Sequence, residues 1–350
     1  MTVSPFDHPL LSSLLGDEEA ARHFSVEAEI EAMLAFERAL AEAEAESGVI
    51  ASDAAAAIVA ALATFRPDTA LLRAGVARDG VVVPELVRQM RAAVGQPHGD
   101  KLHFGATSQD VIDTGLVLRL KQVIDHLGLL LTENIVRLAG LEQDFGARAL
   151  TGMTRMQPAI SILVSDRIGA WRAPLERHRE RLAQQSARLL VVQFGGAAGT
   201  LEKLGDKGPA VRKALAARLD LGDVPQWHSQ RDGLADFASW LSLLTASLGK
   251  FGQDIALMAQ GGADIELSGG GGSSAMPHKQ NPVKAEVLVA LARFNATQLS
   301  GMHQSIVHEQ ERSGAAWTLE WLLLPQMVVA TAGSLRLAAE LTGQIESLGH

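Results

Sequence analysis

A chain of 350 residues can hold two ordinary domains or one unusually long one, and at 47% apolar residues it carries more apolar surface than one small core would bury. Its formal charge of −9 offers no basic footprint for nucleic acid, and the absence of cysteine excludes disulfides, thiolate metal sites and cysteine nucleophiles. No stretch approaches about 18 consecutive apolar residues, and the N-terminal MTVSPFDHPLLSS lacks a basic region followed by an apolar core, so the expectation is a cytoplasmic chain with no membrane partner.

The first predicted element is an amphipathic helix. Apolar residues recur at Val26, Ile30, Met33, Phe36 and Leu40, with Ser25 and Gly48 where the caps belong. Shorter helices are expected over residues 52–63, 68–77 and 84–94, broken at Arg66-Pro67 and ending near Gly95. Residues 1–105 therefore read as a small helical domain. Residues 81–83 and 189–194 are the only strand candidates, so the fold is expected to be essentially all-α.

Residues 110–145 carry apolar positions at Ile112, Leu116, Leu120, Val123 and Leu127 and onward without a proline. That predicts one helix of about 36 residues, roughly 54 Å long. Four more long helices are expected over 158–188, 234–260, 283 to about 308, and 317–341, with Pro174 and Pro325 as kinks. Together they make residues 106–350 an elongated five-helix bundle. So long and apolar a bundle cannot cover its own outer faces, which are expected to pack against other copies in a homotetramer.

The densest collection of special-purpose residues is GGGGSSAMPHKQNP at 269–282. Four glycines suggest a mobile lid carrying the hydroxyls Ser273 and Ser274. Asn281 and Pro282 read as N-cap and first residue of the next helix, which sets Lys279 beside the positive helix end. Such a site suits an anion. A nucleotide-phosphate loop is excluded, because no Ser or Thr follows Lys279. Taken alone, His103-Phe-Gly-Ala-Thr107-Ser108-Gln109-Asp110 reads as a capped helix start, and the segments around Arg231 and Arg312 read as solvated charge clusters. No His, Asp or Glu spacing suggests a metal site.

At every fixed position, residues 272–282 match Gly-Ser-Ser-x-Met-Pro-x-Lys-x-Asn-Pro, which resembles the signature of the fumarase/aspartase superfamily. The resemblance implies Ser273 as the proton-transfer group, with Lys279 and His103 completing the catalytic set. It implies Thr107, Ser108, Gln157, Ser274, Met276 and Asn281 as substrate contacts, Asp113 and Thr114 as their supports, and Arg231 and Arg312 as secondary anion contacts. In the superfamily's lyases the second conserved region reads Thr-His-x-Gln or similar; here Thr154, Gln157 and Pro158 match, but Arg155 stands where the histidine would be. An arginine is always protonated and cannot be a general acid, though it can grip a carboxylate through two parallel hydrogen bonds.

Through HFGATSQD, FGGAAGT, WHSQRD and GGSSAMPHKQNP the chain is most similar to the bacterial carboxymuconate cycloisomerase branch. That implies cofactor-free lactonisation of a small anionic di- or tricarboxylate: 3-carboxy-cis,cis-muconate, or an analogue such as a 3-sulfo compound, in the degradation of aromatic compounds. A β-eliminating lyase of the adenylosuccinate or argininosuccinate type is the alternative, and a non-catalytic, crystallin-like oligomer the second. Relatives usually continue into a further C-terminal helical domain, which this chain is expected to lack in whole or part.

Overall fold

The computed structural model describes residues 3–272, 274–276 and 280–350. Two short helical pieces, α1 (Ser12–Leu15) and α2 (Glu18–Arg22), lead into α3 (Val26–Glu46), α4 (Ser52–Ala63), α5 (Thr69–Asp79) and α6 (Val83–Val94). Their ends follow from local chemistry. The Ser25 side chain caps α3 by accepting from the Ala28 N–H, and Asp68 caps α5 by accepting from Ala70 and Leu71. Gly80, at φ 75°, ends α5 in the left-handed conformation that glycine tolerates best.

The long helices are α7 (Ser108–Phe145), α8 (Val164–Leu189), α10 (Asp232–Gly261), α11 (Val283–Gln304) and α12 (Gly314–Thr342), with the shorter α9 (Gly208–Leu219) between α8 and α10. They run alternately up and down, and α8 and α12 continue through Pro174 and Pro325 without a break. At 38 residues α7 is about 57 Å long. Leu120, Leu127, Trp171, Trp240, Leu244 and Met327 are among the side chains that fill the core between the long helices. A second core joins α3, α4 and α6 to α9 and to Val111, Ile112, Phe194 and Trp317. Helix α12 is long and apolar enough to cross a membrane, but its most apolar stretch is 72% buried, packed against α7, α10 and α11.

The chain is mostly helical, with four short strands among the described residues that the expected all-α pattern did not include. Residues 149–163 form an antiparallel hairpin, β1 (Ala149–Thr154) with β2 (Gln157–Leu163), so α8 starts only at Val164 and not at 158. The alternation of Ile160, Ile162 and Val164 suits a strand as well as a helix, and Pro158 stops the helical pattern from reaching back. Arg155 and Met156 make the turn with φ of 46° and 66°, two successive non-glycine residues in the left-handed region. The strand candidate at 81–83 is instead the entry to α6, and Val191 in the candidate at 189–194 makes a single bridge to Gly222. The other ribbon pairs β3 (Ile265–Leu267) with β4 (Ile345–Leu348).

Buried in α3 is Glu44, whose two carboxyl oxygens have no hydrogen-bond partner among the described residues. Burial, followed by the charge of Glu37, pushes its pKa up from 4.5 to about 9. The folded chain therefore binds more protons than the unfolded chain between those two values, so stability falls as pH rises through that window. Urea unfolding between pH 5 and 9 is expected to lose up to about 1.4 kcal/mol per pH unit through this group, and Glu44→Gln should remove that slope. Parallel pH profiles for the two proteins would contradict the assignment.

Candidate active site

The N-terminal end of α7 is built on two buried carboxylates one turn apart. Asp110 accepts from the Thr107 N–H at 3.0 Å, from the Gly195 and Gly196 N–H groups at 2.9 Å each, and from His228 Nε2 at 2.8 Å. One side chain thus pins the FGGAAGT loop and the WHSQRD segment to the helix start. The loop glycines are required by close approach. A Cβ on Gly195 would lie 2.7 Å from the Gln226 side chain, and one on Gly196, at φ 71°, would lie 2.8 Å from the Gly105 carbonyl oxygen. Thr114 adds a second tie, donating to the Gln193 carbonyl and accepting from the Gln193 N–H, both at 2.9 Å.

Asp113 accepts from Arg231 Nη1 and Nη2 at 2.6 and 3.1 Å and from Trp317 Nε1 at 3.0 Å. Arg231 also donates through Nε to Glu320 at 2.8 Å and lies over the Trp227 ring at 4.7 Å. This corrects the expectation that Arg231 contacts the substrate: it is 1% exposed, and all three of its nitrogens are taken by carboxylates. Burial alone would lower its pKa, but Asp113 and Glu320 hold it above the ordinary value. Burial likewise pushes Glu320 up, and Arg231 offsets only part of that shift.

On this frame stand the groups that remain reachable. Thr107 has extended backbone (φ −128°, ψ 163°), and Ser108 opens the helix; both are half-buried. Arg312 donates through Nη1 to Thr107 Oγ1 at 3.2 Å and through Nη2 to the Ala197 carbonyl at 3.0 Å, which sets a guanidinium beside the positive end of α7. His103, at φ 63°, brings its Nδ1 to 2.6 Å from Glu37 Oε1. Histidine His308, on the same segment as Arg312, has a pKa lowered by burial and by Arg231. Sequence reading missed the roles of Glu37, His228 and the loop around Ala197; only the glycine pair in FGGAAGT hinted at a close-packed turn.

The other predicted site residues that the structure describes, Arg155, Gln157, Ser274, Met276 and Asn281, lie at the opposite end of the bundle. Arg155 and Gln157 are exposed at the tip of the β1-β2 hairpin. Ser274 and Met276 are exposed, and Asn281 is half-buried. The Asn281 N–H donates to the Gly271 carbonyl and its carbonyl accepts from the Gly271 N–H, both at 2.9 Å, closing the neck of the 272–280 loop. Asn281 is therefore not the N-cap of α11, a position that Pro282 takes without a side-chain cap. Nor do all four glycines supply backbone freedom. A Cβ on Gly271 would meet the Val283 side chain at 2.4 Å, and one on Gly270 would meet Gln280 at 2.9 Å. Ser273 and Lys279 lie outside the described residues.

Helices of 22 to 38 residues, about 33 to 57 Å long, separate the two clusters within one chain. A cavity of about 520 Å³ belongs to neither: it opens between α3, α5, α7 and α12 and is walled mainly by apolar groups such as Met33, Leu72, Ile112 and Leu324. A multiply charged substrate would find Arg119 there together with the carboxylates of Glu29 and Glu320, a poor balance for an anion.

A family model described as Lyase matches residues 16–295. The chain is 40% identical to a 3-carboxy-cis,cis-muconate cycloisomerase of Pseudomonas aeruginosa over 92% of this chain and 72% of that protein. To an N-acetyl-S-(2-succino)cysteine lyase of Enterococcus italicus it is 35% identical over 89% of this chain and 70% of that one. Among solved structures, a 3-carboxy-cis,cis-muconate lactonizing enzyme from Pseudomonas putida matches with a TM-score of 0.91 at 37% identity, covering 97% of this chain and 77% of that one. A fumarate lyase from Mesorhizobium matches with a TM-score of 0.90 at 32% identity, covering 97% and 78%.

Removing Arg231 leaves Asp113 and Glu320 buried without their counter-ion, so Arg231→Met is expected to lower stability by about 3–5 kcal/mol in urea unfolding. An Arg231→Met protein of normal stability with a raised KM would restore Arg231 as a substrate contact.

Proposed function

Because the chain belongs to the Lyase family of the fumarase/aspartase superfamily, we propose that it is a cofactor-free cycloisomerase that lactonises 3-carboxy-cis,cis-muconate or a close anionic analogue in aromatic degradation. The observation that carries this reading is the pairing of an intact signature loop with Arg155 in place of the lyase histidine. The reaction is an isomerisation. A carboxylate oxygen of the substrate adds to its own conjugated alkene, the displaced electron pair moves onto the neighbouring carboxyl group as a doubly negative aci-carboxylate, and a proton from the enzyme goes to the adjacent carbon. Fixed donors placed where that charge develops supply the main rate advantage.

In this reading Thr107, Ser108, Arg312 and the first N–H groups of α7 hold one carboxylate, and Ser274, Met276, Asn281 and the N-terminus of α11 surround the reacting end. Ser273 delivers the proton, Lys279 stabilises its alkoxide, and His103 completes the catalytic set. Gln157 and Arg155 hold the 3-substituent. Two consecutive left-handed residues at a hairpin tip cost about 1–3 kcal/mol each, and strain of that kind collects where a side chain must be aimed at a ligand. Since the two clusters are separated by the length of the bundle, the site is assembled from several copies of the chain, as a homotetramer. Exposed Leu129, Val136, Leu243 and Leu322 on the bundle helices supply apolar surface for that assembly.

A β-eliminating lyase acting on a succinyl adduct is the second reading, favoured by the likeness to the succinocysteine lyases. It shares the aci-carboxylate, but it needs a leaving-group acid that Arg155 cannot be. Purified protein is expected to remove the absorbance of 3-carboxy-cis,cis-muconate and to leave succinyl adducts intact. Arg155→Lys should reduce kcat/KM for the 3-substituted over the plain muconate by roughly tenfold or more, the worth of one charge-assisted hydrogen bond. An unchanged ratio would remove Arg155 from the substrate, and release of fumarate from a succinyl adduct would favour the lyase.

A further inference from the structure

Glu37, in the middle of α3, is 1% exposed and carries its carboxylate into a core of Met33, Phe36 and Leu40. A buried carboxylate is retained when it is paired, and among the described residues no Lys or Arg lies within ion-pair distance of this one. Among the described residues its single partner is His103: Oε1 lies 2.6 Å from Nδ1, while Oε2 has no partner there. The backbone is arranged for this contact. His103 is left-handed at φ 63°, the next glycine, Gly105, is left-handed at 73°, and the carbonyl of Leu102 is held by Arg91 Nε and Nη2 at 3.3 and 3.0 Å.

We propose that Glu37 is a positioning residue for His103: its carboxylate accepts the Nδ1–H, fixes the ring's tautomer and orientation, and leaves Nε2 as the one ring atom that can serve the substrate. The His103 side chain keeps 14% exposure while that of Glu37 has none, so the pair has an inner anchored edge and an outer reachable one. A histidine held by a carboxylate on its far nitrogen is a recurrent way of presenting the near nitrogen in one place. The proposal rests on the reading of His103 as part of the catalytic set.

The test is a kinetic double-mutant cycle combined with nitrogen-15 NMR of histidine-labelled protein, assayed on 3-carboxy-cis,cis-muconate. Glu37→Gln keeps the shape and an acceptor oxygen but not the charge; it is expected to lower kcat by about tenfold or more with KM changed by less than about threefold. Glu37→Leu should lower kcat further. In the His103→Ala background Glu37→Gln should cost nothing more, because the route through the ring is already gone. The wild-type spectrum should show His103 protonated at Nδ1 with Nε2 bare, and Glu37→Gln should shift those ring resonances. An equal cost of Glu37→Gln with and without His103, or an unmoved ring spectrum, would overturn the positioning role and leave Glu37 a structural acid. Full turnover by His103→Ala would instead overturn the catalytic reading of His103 on which the proposal stands, and the ring spectrum would still report whether the contact exists.

Discussion

Asp110 and Asp113 govern one end of this molecule. They face inward from consecutive turns of α7 and between them hold the 195–196 loop, His228, Arg231, Trp317 and, through Arg231, Glu320. Neither carboxylate is exposed. Their charges are neutralised by donors arriving from four separate stretches of chain, so the N-terminus of α7, the starts of α10 and α12 and the glycine loop cannot move independently. What remains reachable around that rigid frame is Thr107, Ser108, Arg312 and His103, set at the positive end of a helix about 57 Å long. The proposed anion site uses this frame: the inner charges fix the geometry, and the outer donors are the groups left to meet a ligand.

The long helices were legible because their apolar periodicity is sustained, and the shorter α3 and α5 because their starts carry recognisable caps at Ser25 and Asp68. The hairpin at 149–163 was not, since a seven-residue strand of alternating Ile and Ser next to a helix reads as part of the helical run. Most of the residues proposed for the site come from the motifs at 103–110 and 269–282. The role of Arg231 was not, because its partners Asp113 and Glu320 are 118 and 89 residues away, and a charge cluster read locally looks solvated. The Glu37–His103 contact spans 66 residues and was invisible for the same reason. Glycines 270 and 271 were read as freedom, when the Val283 and Gln280 side chains leave room for nothing larger. Sequence pattern reports periodicity and caps well, and reports pairing across the fold poorly.

The division of the predicted site residues between the two bundle ends has a mechanical consequence. Within one chain, Thr107, Ser108 and Arg312 at the start of α7 cannot approach Arg155 and Gln157 at the β1-β2 hairpin or Asn281 before α11, because rigid helices at least 33 Å long stand between them. The long apolar helices proposed to build the oligomer are the same elements that keep the two clusters apart, so in that proposal assembly and a complete site depend on a single property of the chain, the length of its bundle.

The most direct test is complementation between two inactive variants. Arg312→Ala disables the end at the start of α7 and Ser273→Ala disables the loop end; each is expected to be inactive alone, and co-refolded one-to-one they should regain activity. If each site draws one cluster from each of two chains, the recovered rate should approach about a quarter of wild type, the statistical share of sites with both clusters intact. Recovery to that level is the predicted result, and a mixture that stays as inactive as its components while forming mixed oligomers would contradict a shared site.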